Sequence, residues 1–377
     1  MKKIRFISPV MVLFAGLLLV LVLPACGEAE EEEIEPAAEP TPELELDFEQ
    51  PLQVEAVTDR QYINKARQLI REAEHTLHLS QLYMNFDHVI RDLLGELEDA
   101  AERGVQIKVL LNQAEDPADR NRRAMEILAR YGAEVKEEGR PGAGKLHAKI
   151  IVADRSRALV GSTNWSAMSI RNNHETNLLI KQPKVADFYV RWIEELYREP
   201  TENPELEPVK INGSRTVIDR EHEDVIAELI DEAGEKIWLG IYAFRTYFGT
   251  QYEGSTSDRM VEKLADAVDR GLDVRVIIEY SDYNEMINNF NAQTAQALLD
   301  RGVEVRAAPE HLNTHWKLLV VDGQVLAGSM NWGYSGFDLH AEASFLTDQK
   351  NAVGEMERYF LARWNNAEEY PVEKILD

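Results

Sequence analysis

Two stretches of the sequence carry the same chemically active side chains at nearly the same spacing. Each has a histidine and a lysine two positions apart, an aspartate, a Gly-Ser-x-Asn tetrad and a glutamate eleven positions beyond the asparagine. The first copy is His147, Lys149, Asp154, Gly161, Ser162, Asn164 and Glu175, and the second is His315, Lys317, Asp322, Gly328, Ser329, Asn331 and Glu342. Seven residue types recurring in step are not a chance pattern, so the two copies are expected to act together.

The residue types suit chemistry on a phosphoryl group. A histidine supplies a nitrogen nucleophile or a proton donor, and a neighbouring lysine supplies positive charge for anionic oxygens. Serine and asparagine add neutral donors, and a glutamate can orient an imidazole through its other ring nitrogen. Because side chains alternate along a strand, His147 and Lys149 share one face and Asp154 points to the other. The aspartate is therefore expected to hold the end of the strand.

The paired His-x-Lys-x4-Asp and Gly-Ser-x-Asn motifs resemble the phospholipase D superfamily, over residues 55 to 370. The resemblance implies one active site, formed where the two copies face each other across a pseudo-twofold axis. It implies that His147 attacks phosphorus to give a phosphohistidine, and that His315 protonates the leaving oxygen and then activates water or an alcohol. The other implied roles are phosphoryl binding by Lys149, Lys317, Asn164 and Asn331, substrate binding by Ser162 and Ser329, support of the histidines by Glu175 and Glu342, and scaffolding by Asp154 and Asp322. No cofactor and no metal ion are expected, since the lysines would repel a cation.

The chain is a duplication. "AAERGVQIKVLL" at 100–111 matches "AVDRGLDVRVII" at 267–278, and "ILARYGAEVK" at 127–136 matches "LLDRGVEVRA" at 298–307. Helical patterns alternate with strand patterns in each half, which favours a largely parallel sheet covered on both faces. We predict an α/β fold of two tandem homologous domains, each a mostly parallel mixed sheet flanked by helices, packed with pseudo-twofold symmetry. The predicted domains are residues 51–198 and 213–377, with a linker at 199–212.

The N-terminus has the layout of an export signal. Residues 1–25 combine a basic start, an apolar stretch and small residues before Cys26, the only cysteine of the chain. "LPAC" resembles a bacterial lipobox, so we predict lipid attachment at Cys26; the alternative is an uncleaved membrane-spanning helix. Residues 26–50 are rich in glutamate and proline and are predicted to be an extended tether. Both alternatives place the body outside the cytoplasm, anchored to a membrane.

Other features of the sequence carry less weight. "GRPGAGKL" at 139–146 is close to a P-loop, but a leucine replaces the metal-binding serine or threonine, so it predicts a loop beside His147. His174, His311 and His340 are interpreted as loop or packing residues. Trp165 and Trp332 fit either a wall over the substrate or core packing where the halves meet. The aromatic loop 245–258, which has no counterpart in the first half, suits an apolar ligand at the rim or is simply long and mobile.

The motif alone does not choose the phosphodiester. A formal net charge of −26 disfavours nucleic acid, whose affinity depends on lysines and arginines that neutralise phosphates. Basic residues do cluster along the first motif: Arg140, Lys145, Arg155, Arg157 and Arg171. Because the tether brings lipid head groups within reach, we favour hydrolysis of phospholipids, with transfer to an alcohol as a second activity. A nuclease and a non-catalytic phosphate-binding protein are the alternatives, and a monomer suffices for a complete site.

Overall fold

The computed structural model describes residues 44, 46–113, 120–139, 144–281, 284–308 and 313–376. Residues 44–377 form one compact unit. The predicted export signal, Cys26 and most of the predicted tether lie outside the described residues. Within the described ranges, no helix is long and apolar enough to cross a membrane.

The first half alternates helices and strands and places seven strands in one sheet in the order β1-β7-β6-β5-β2-β3-β4. Its elements are β1 (Gln53–Thr58), α1 (Gln61–Arg71), β2 (Thr76–Gln81), α2 (His88–Glu102), β3 (Gln106–Asn112), α3 (Arg122–Arg130), β4 (Glu134–Glu138), β5 (Ile150–Ala153), β6 (Arg157–Gly161), α4 (Ala167–Arg171), β7 (Thr176–Lys181) and α5 (Pro183–Arg198).

The second half repeats this plan in a nine-stranded sheet of order β16-β12-β11-β10-β13-β14-β15-β9-β8. Its elements are β8 (Lys210–Ile211), β9 (Ser214–Ile218), α6 (Glu221–Glu232), β10 (Lys236–Ile241), α7 (Thr256–Asp269), β11 (Asp273–Ile278), α8 (Glu285–Leu299), β12 (Glu304–Ala307), β13 (Lys317–Val321), β14 (Gln324–Gly328), a π-helical segment (Ser335–Leu339), β15 (Ala343–Thr347), α9 (Lys350–Trp364), β16 (Glu368–Glu369) and α10 (Val372–Leu376). The short strand β8 falls within the predicted linker.

The α/β architecture with two tandem mixed sheets is confirmed, but the expectation of mostly parallel pairing is wrong. Among the strands of the described residues, only β2-β3-β4 and β10-β11-β12 pair in parallel, and the other neighbours in both sheets are antiparallel. The reason is the connections. Crossover helices join the parallel strands, whereas β5-β6 and β13-β14 are joined by short turns that force antiparallel pairing.

Three apolar cores are formed by the residues that the structure describes. One lies within the first half and includes Leu93, and a second lies within the second half and includes Leu264. The third is built by both halves: Trp192 of α5 and Trp316 beside β13 belong to the same buried cluster. Gly240 of β10 makes room for that cluster, since a Cβ at this position would lie 2.6 Å from the Trp316 ring. The halves therefore share a continuous core.

The sequence pattern predicts a helix near 294–301, but helix α8 begins nine residues before Thr294, at Glu285. The earlier turns escape the prediction because their buried face is polar. Asn288 and Asn291 are buried there and bind loop backbone instead of packing against apolar side chains. Asn291 accepts from the Phe244 amide at 2.9 Å and donates to the carbonyl oxygens of Tyr242 and Glu279 at 2.9 and 3.0 Å. A search for apolar periodicity misses such a helix.

Candidate active site

The two motif histidines lie at equivalent places, just before β5 and β13. In the first half β5 runs antiparallel to β2, with Ile150 opposite Ser80, so His147 lies at the edge where β2 ends. In the second half β13 pairs antiparallel with β10, and Lys317 lies opposite Ile241, the last residue of β10. Each histidine is therefore held at the edge that also receives the loops after the parallel strands.

Each histidine is bound by the glutamate of the other half. His147 Nδ1 lies 2.8 and 3.0 Å from the two carboxylate oxygens of Glu342, and His315 Nδ1 lies 3.0 Å from Glu175 Oε2. Both glutamates are fully buried, and the histidines are 7 and 8% exposed. The exchange is reciprocal, as a pseudo-twofold axis requires. Because Nδ1 is occupied in both rings, Nε2 is the nitrogen left for chemistry.

Backbone hydrogen bonds bring the segments of the two halves together. The His147 amide donates to the carbonyl of Ala341 at 2.8 Å, next to Glu342, and the His315 amide donates to the carbonyl of His174 at 2.9 Å, next to Glu175. A single composite site is thus assembled by main-chain contacts across the interface.

Two aspartates that sequence reasoning missed support the glutamates. The Glu175 amide donates to Asp59 Oδ1 and the Glu342 amide to Asp219 Oδ1, both at 3.0 Å. Each aspartate also bonds the opposite half, since Arg363 of α9 pairs with Asp59 at 2.6 Å and Trp192 of α5 donates to Asp219 at 3.0 Å. A signal exists in the sequence: Val-x-Asp-Arg occurs at 57–60 and again at 217–220.

The glycine and serine of each Gly-Ser-x-Asn tetrad support the carboxylates rather than opening toward a ligand. A Cβ on Gly161 would lie 2.5 Å from the Cα of Asn177, so only glycine allows β6 and β7 to approach this closely. Ser162 then donates to Glu175 Oε2 at 2.5 Å, and Ser329 donates in the same way to Glu342.

This differs from the predicted substrate-binding role of Ser162 and Ser329. Both serines are fully buried, and the one proton of each hydroxyl is used by a glutamate. The motif asparagines differ from them. Asn164 Oδ1 and Asn331 Oδ1 are buried and have no hydrogen-bond partner among the described residues.

The motif lysines are buried beside the histidines. Lys149 Nζ donates to the carbonyl of His147, and Lys317 Nζ donates to that of His315 at 2.7 Å. Burial lowers the pKa of Lys149 to about 7 and that of Lys317 to about 8, although the glutamates oppose the shift. Burial also lowers the pKa of both histidines. The positive charges of Lys149, Lys317, His315 and Lys145 hold the pKa of His147 further down, whereas the Glu175 carboxylate opposes the shift at His315.

The surroundings of the two histidines are not identical. The Tyr242 ring lies 4.7 Å from the His315 ring, and the His340 ring lies 5.6 Å from the His147 ring. His340, interpreted from sequence as a loop or packing residue, therefore lies at the site, where burial lowers its pKa to about 3. Beside His315, Glu279 is fully buried and accepts the Thr314 amide at 2.5 Å, in the position where Asn112 accepts the Leu146 amide at 2.9 Å.

Asp154 and Asp322 lie at the opposite ends of their strands from the histidines. Asp154 accepts hydrogen bonds from the amides of Glu74, His75 and Thr76 at the start of β2. Asp322 does the same for the amides of residues 234–236 at the start of β10. These carboxylates fix the neighbouring strand and do not reach the site.

The remaining sequence candidates are placed as follows. Trp165 and Trp332 are buried in the cores of their own halves, not where the halves meet. Arg155 pairs with Asp187 at 2.7 Å and Arg157 with Glu72 at 2.6 Å, at the strand ends away from the histidines. Arg140 and His311 lie outside the described residues. In the described ranges, no group of three His, Cys, Asp or Glu side chains is arranged to hold a metal ion.

Comparison with known proteins identifies the family. The model of the family described as "Cardiolipin synthase, PLD-like domain" matches twice, over residues 66–197 and 226–364. The chain therefore belongs to the phospholipase D superfamily.

Individual relatives and solved structures agree with this assignment. Phospholipase D of Rickettsia bellii is 31% identical over 27% of this chain and 49% of its own length. Human mitochondrial cardiolipin hydrolase is 26% identical over 30% of this chain and 44% of its own length. The chain thus spans less than half the length of these two relatives. Phospholipase D Z of Dictyostelium discoideum is 22% identical over 74% of this chain and 76% of its own length. The crystal structure of phosphatidylserine synthase from Haemophilus influenzae superposes with a TM-score of 0.67 at 16% identity, covering 86% of this chain and 92% of that one.

Proposed function

We propose that this protein is a phosphodiesterase that hydrolyses phospholipids through a phosphohistidine intermediate. The observation that carries the proposal is the pair of buried histidines, each bound through Nδ1 by the glutamate of the other half, with a buried lysine beside each. A histidine held in this way presents Nε2 in a fixed direction, and the lysines favour an anionic group between them.

In the first step, His147 Nε2 attacks phosphorus and the bond to the head-group oxygen breaks. Burial, and after it the positive charges near His147, hold the pKa of His147 well below its ordinary value. The imidazole is therefore neutral, and its lone pair is free for attack. Burial lowers the pKa of His315 and the Glu175 carboxylate opposes this shift; in its protonated form His315 donates its proton to the leaving alkoxide. The head-group alcohol leaves, and a phosphatidyl group remains on His147.

In the second step, neutral His315 takes a proton from water, and the resulting hydroxide attacks phosphorus. The bond from phosphorus to His147 Nε2 breaks, phosphatidic acid is released and both imidazoles return to their starting forms. An alcohol in place of water gives transfer instead of hydrolysis. Lys149 and Lys317 bind the phosphoryl oxygens, and bound anion raises the fraction of each lysine that is protonated. Asn164 and Asn331 are the neutral ligands.

Phospholipid is favoured over nucleic acid by the relatives and by the charges. Two of the relatives are named for phospholipase D and cardiolipin hydrolase activity. The chain carries a formal net charge of −26. Arg155 and Arg157, which could have formed a basic groove, are engaged by acidic side chains. We further propose that Cys26 carries a lipid anchor and that the enzyme acts outside the cytoplasm, as the N-terminal sequence suggests.

The test is to incubate residues 44–377 with mixed phospholipids and, separately, with single- and double-stranded DNA. His147→Ala removes the nucleophile. His75→Ala is the matched control, because His75 lies at the opposite end of β2. Release of head groups by the control but not by His147→Ala supports the proposal. Cleaved DNA with unchanged lipid would show a nuclease, and turnover of neither would show a binding protein.

A further inference from the structure

Exposed apolar side chains are concentrated on the segments that follow strands at the histidine edge. Five large ones lie 5 to 11 residues beyond the ends of such strands, in loops or in α4 and α8: Phe86, Met168, Tyr252, Met286 and Tyr334. Their exposed fractions run from 37% for Phe86 to 69% for Met286. Isolated exposed apolar residues are ordinary on protein surfaces, but a concentration at one place marks an interaction site.

The topology explains why these five residues share the histidine edge. Phe86 follows β2, and Met168 lies in α4, which follows β6; both strands end beside the start of the His147 segment. In the second half, Tyr252 follows β10, Met286 lies in the first turn of α8 after β11, and Tyr334 follows β14. Both halves therefore contribute apolar side chains to the surroundings of the site.

Arginines stacked on aromatic rings accompany these side chains. The guanidinium groups of Arg91 and Arg123 lie 5.8 and 5.1 Å from the Phe86 ring. Arg245 lies between two rings, 5.0 Å from Tyr247 and 5.1 Å from Phe290. All three arginines are exposed, and in the part of the chain that the structure describes none of them forms an ion pair. Positive charge is thus available here in a chain that is strongly acidic overall.

We propose that this rim, formed by Phe86, Met168, Tyr252, Met286 and Tyr334 with Arg91, Arg123 and Arg245, docks onto the surface of a phospholipid bilayer. Aromatic and methionine side chains enter the boundary between head groups and acyl chains, and the arginines bind lipid phosphates. The inference rests on the proposed function and deepens it, because the enzyme would take its substrate from a membrane rather than from solution.

The experiment compares vesicles with a soluble substrate, using residues 44–377, which contain all three cores. Met168→Ser/Met286→Ser removes one apolar side chain from each half of the rim. Phe48→Ser/Leu299→Ser is the control, since both residues are exposed large apolar side chains, and Leu299 ends the helix whose first turn contains Met286. Along that helix the two residues are about 20 Å apart.

Binding is measured by cosedimentation with vesicles of phosphatidylcholine containing phosphatidylglycerol. Turnover is measured on the same vesicles and on short-chain phosphatidylcholine below its critical micelle concentration. We expect the rim variant to lose vesicle affinity and vesicle turnover about tenfold for each side chain removed, while its turnover of the short-chain lipid stays unchanged. The control variant should behave like the wild type in all three measurements.

Two results would overturn the docking proposal. They are wild-type vesicle affinity in the rim variant and an equal loss of vesicle affinity in the control. Failure of the proposed function is a separate result, because an enzyme that turns over neither form of lipid still reports its affinity for vesicles.

Discussion

At the scale of single residues, the site depends on an exchange of carboxylates between halves. Glu342 holds His147 and Glu175 holds His315, so each catalytic candidate depends on a residue far along the chain. The sequence predicts that these four residues meet. It cannot tell which glutamate serves which histidine, because the two copies have the same residue types and nearly the same spacing.

The exchange predicts a crossed effect of mutation. In Glu342→Gln the carboxylate is lost from His147 Nδ1, so the His147 imidazole should change its tautomer and pKa while His315 keeps its own. Glu175→Gln should do the reverse. Each variant should lower kcat by about 10²- to 10⁴-fold with a smaller effect on KM. Histidine ¹⁵N NMR identifies the affected ring, and a shift of His315 in Glu342→Gln would contradict the pairing.

Glu279 predicts a specific pH dependence of stability. Burial raises the pKa of its carboxyl from 4.5 to about 7. The folded state therefore binds this proton more tightly than the unfolded chain does, and the stabilisation is fully present below pH 4.5 and is lost as the pH rises through about 7. Glu279→Gln keeps the neutral form at every pH. As the pH rises from 4.5 through about 7, the free energy of unfolding of Glu279→Gln should increase relative to that of the wild type by about 3 kcal/mol.

The measurement is denaturant unfolding of both proteins from pH 4 to 8. The lowered pKa of Lys149 also affects the pH profile, but Glu279 is not among its causes, so this contribution cancels in the difference. The Glu279 carboxylate raises the pKa of Lys317, so the Lys317 contribution differs between the two proteins and is part of the measured difference. Glu228→Gln, a change at an exposed position of α6, should follow the wild type. Parallel profiles for Glu279→Gln and the wild type would show that this carboxyl has an ordinary pKa.

At the scale of elements, the aspartate of each His-x-Lys-x4-Asp motif holds a neighbouring strand in place and does not bind a ligand. Asp154 binds three amides at the start of β2, and Asp322 does so at β10. Side-chain alternation predicts this separation from the histidines. It does not predict which amides are bound, because β2 lies far from Asp154 in sequence.

Asp154→Ala should therefore affect stability more than catalysis. It leaves three amides without their charged acceptor, and we expect a loss of about 2–4 kcal/mol in the free energy of unfolding with kcat and KM nearly unchanged. Asp187→Ala is the control, since Asp187 makes ion pairs with Arg155 and Arg191 at the surface of α5. Exposed pairs contribute less than about 1 kcal/mol. A larger loss in kcat than in stability would place Asp154 in the chemistry instead.

What the sequence missed at this scale has a physical cause. Strands β1 and β9 lead to Asp59 and Asp219 and flank the longer matches between the halves, so the shared Val-x-Asp-Arg is a signal of only four residues. Helix α8 buries asparagines that bind backbone, so its first turns show no apolar stripe. Antiparallel pairing of the motif strands depends on turn length, which helix-strand alternation does not report. Sequence patterns therefore do not predict contacts between residues that are distant in sequence, nor the burial of polar side chains.

At the scale of the whole molecule, the shared core makes the two halves one folding unit. Trp192 of the first half and Trp316 of the second are buried in the same cluster, and Trp192 also bonds Asp219 beside the site. If one half unfolded, this apolar surface would be exposed on the other, at a cost of about 25 cal/mol for each Å². The histidine-glutamate pairs would be lost in the same event.

Unfolding should therefore be cooperative across the halves. Leu93→Ala in the core of the first half and Leu264→Ala in the core of the second remove matched, fully buried side chains. Each should cost about 2–5 kcal/mol. Amide hydrogen exchange in β3 and β11 reports the two halves separately. Because the shared core couples them, each variant should accelerate exchange of the most protected amides in both strands by the same factor. Acceleration confined to the mutated half would mean that the shared core does not couple the halves.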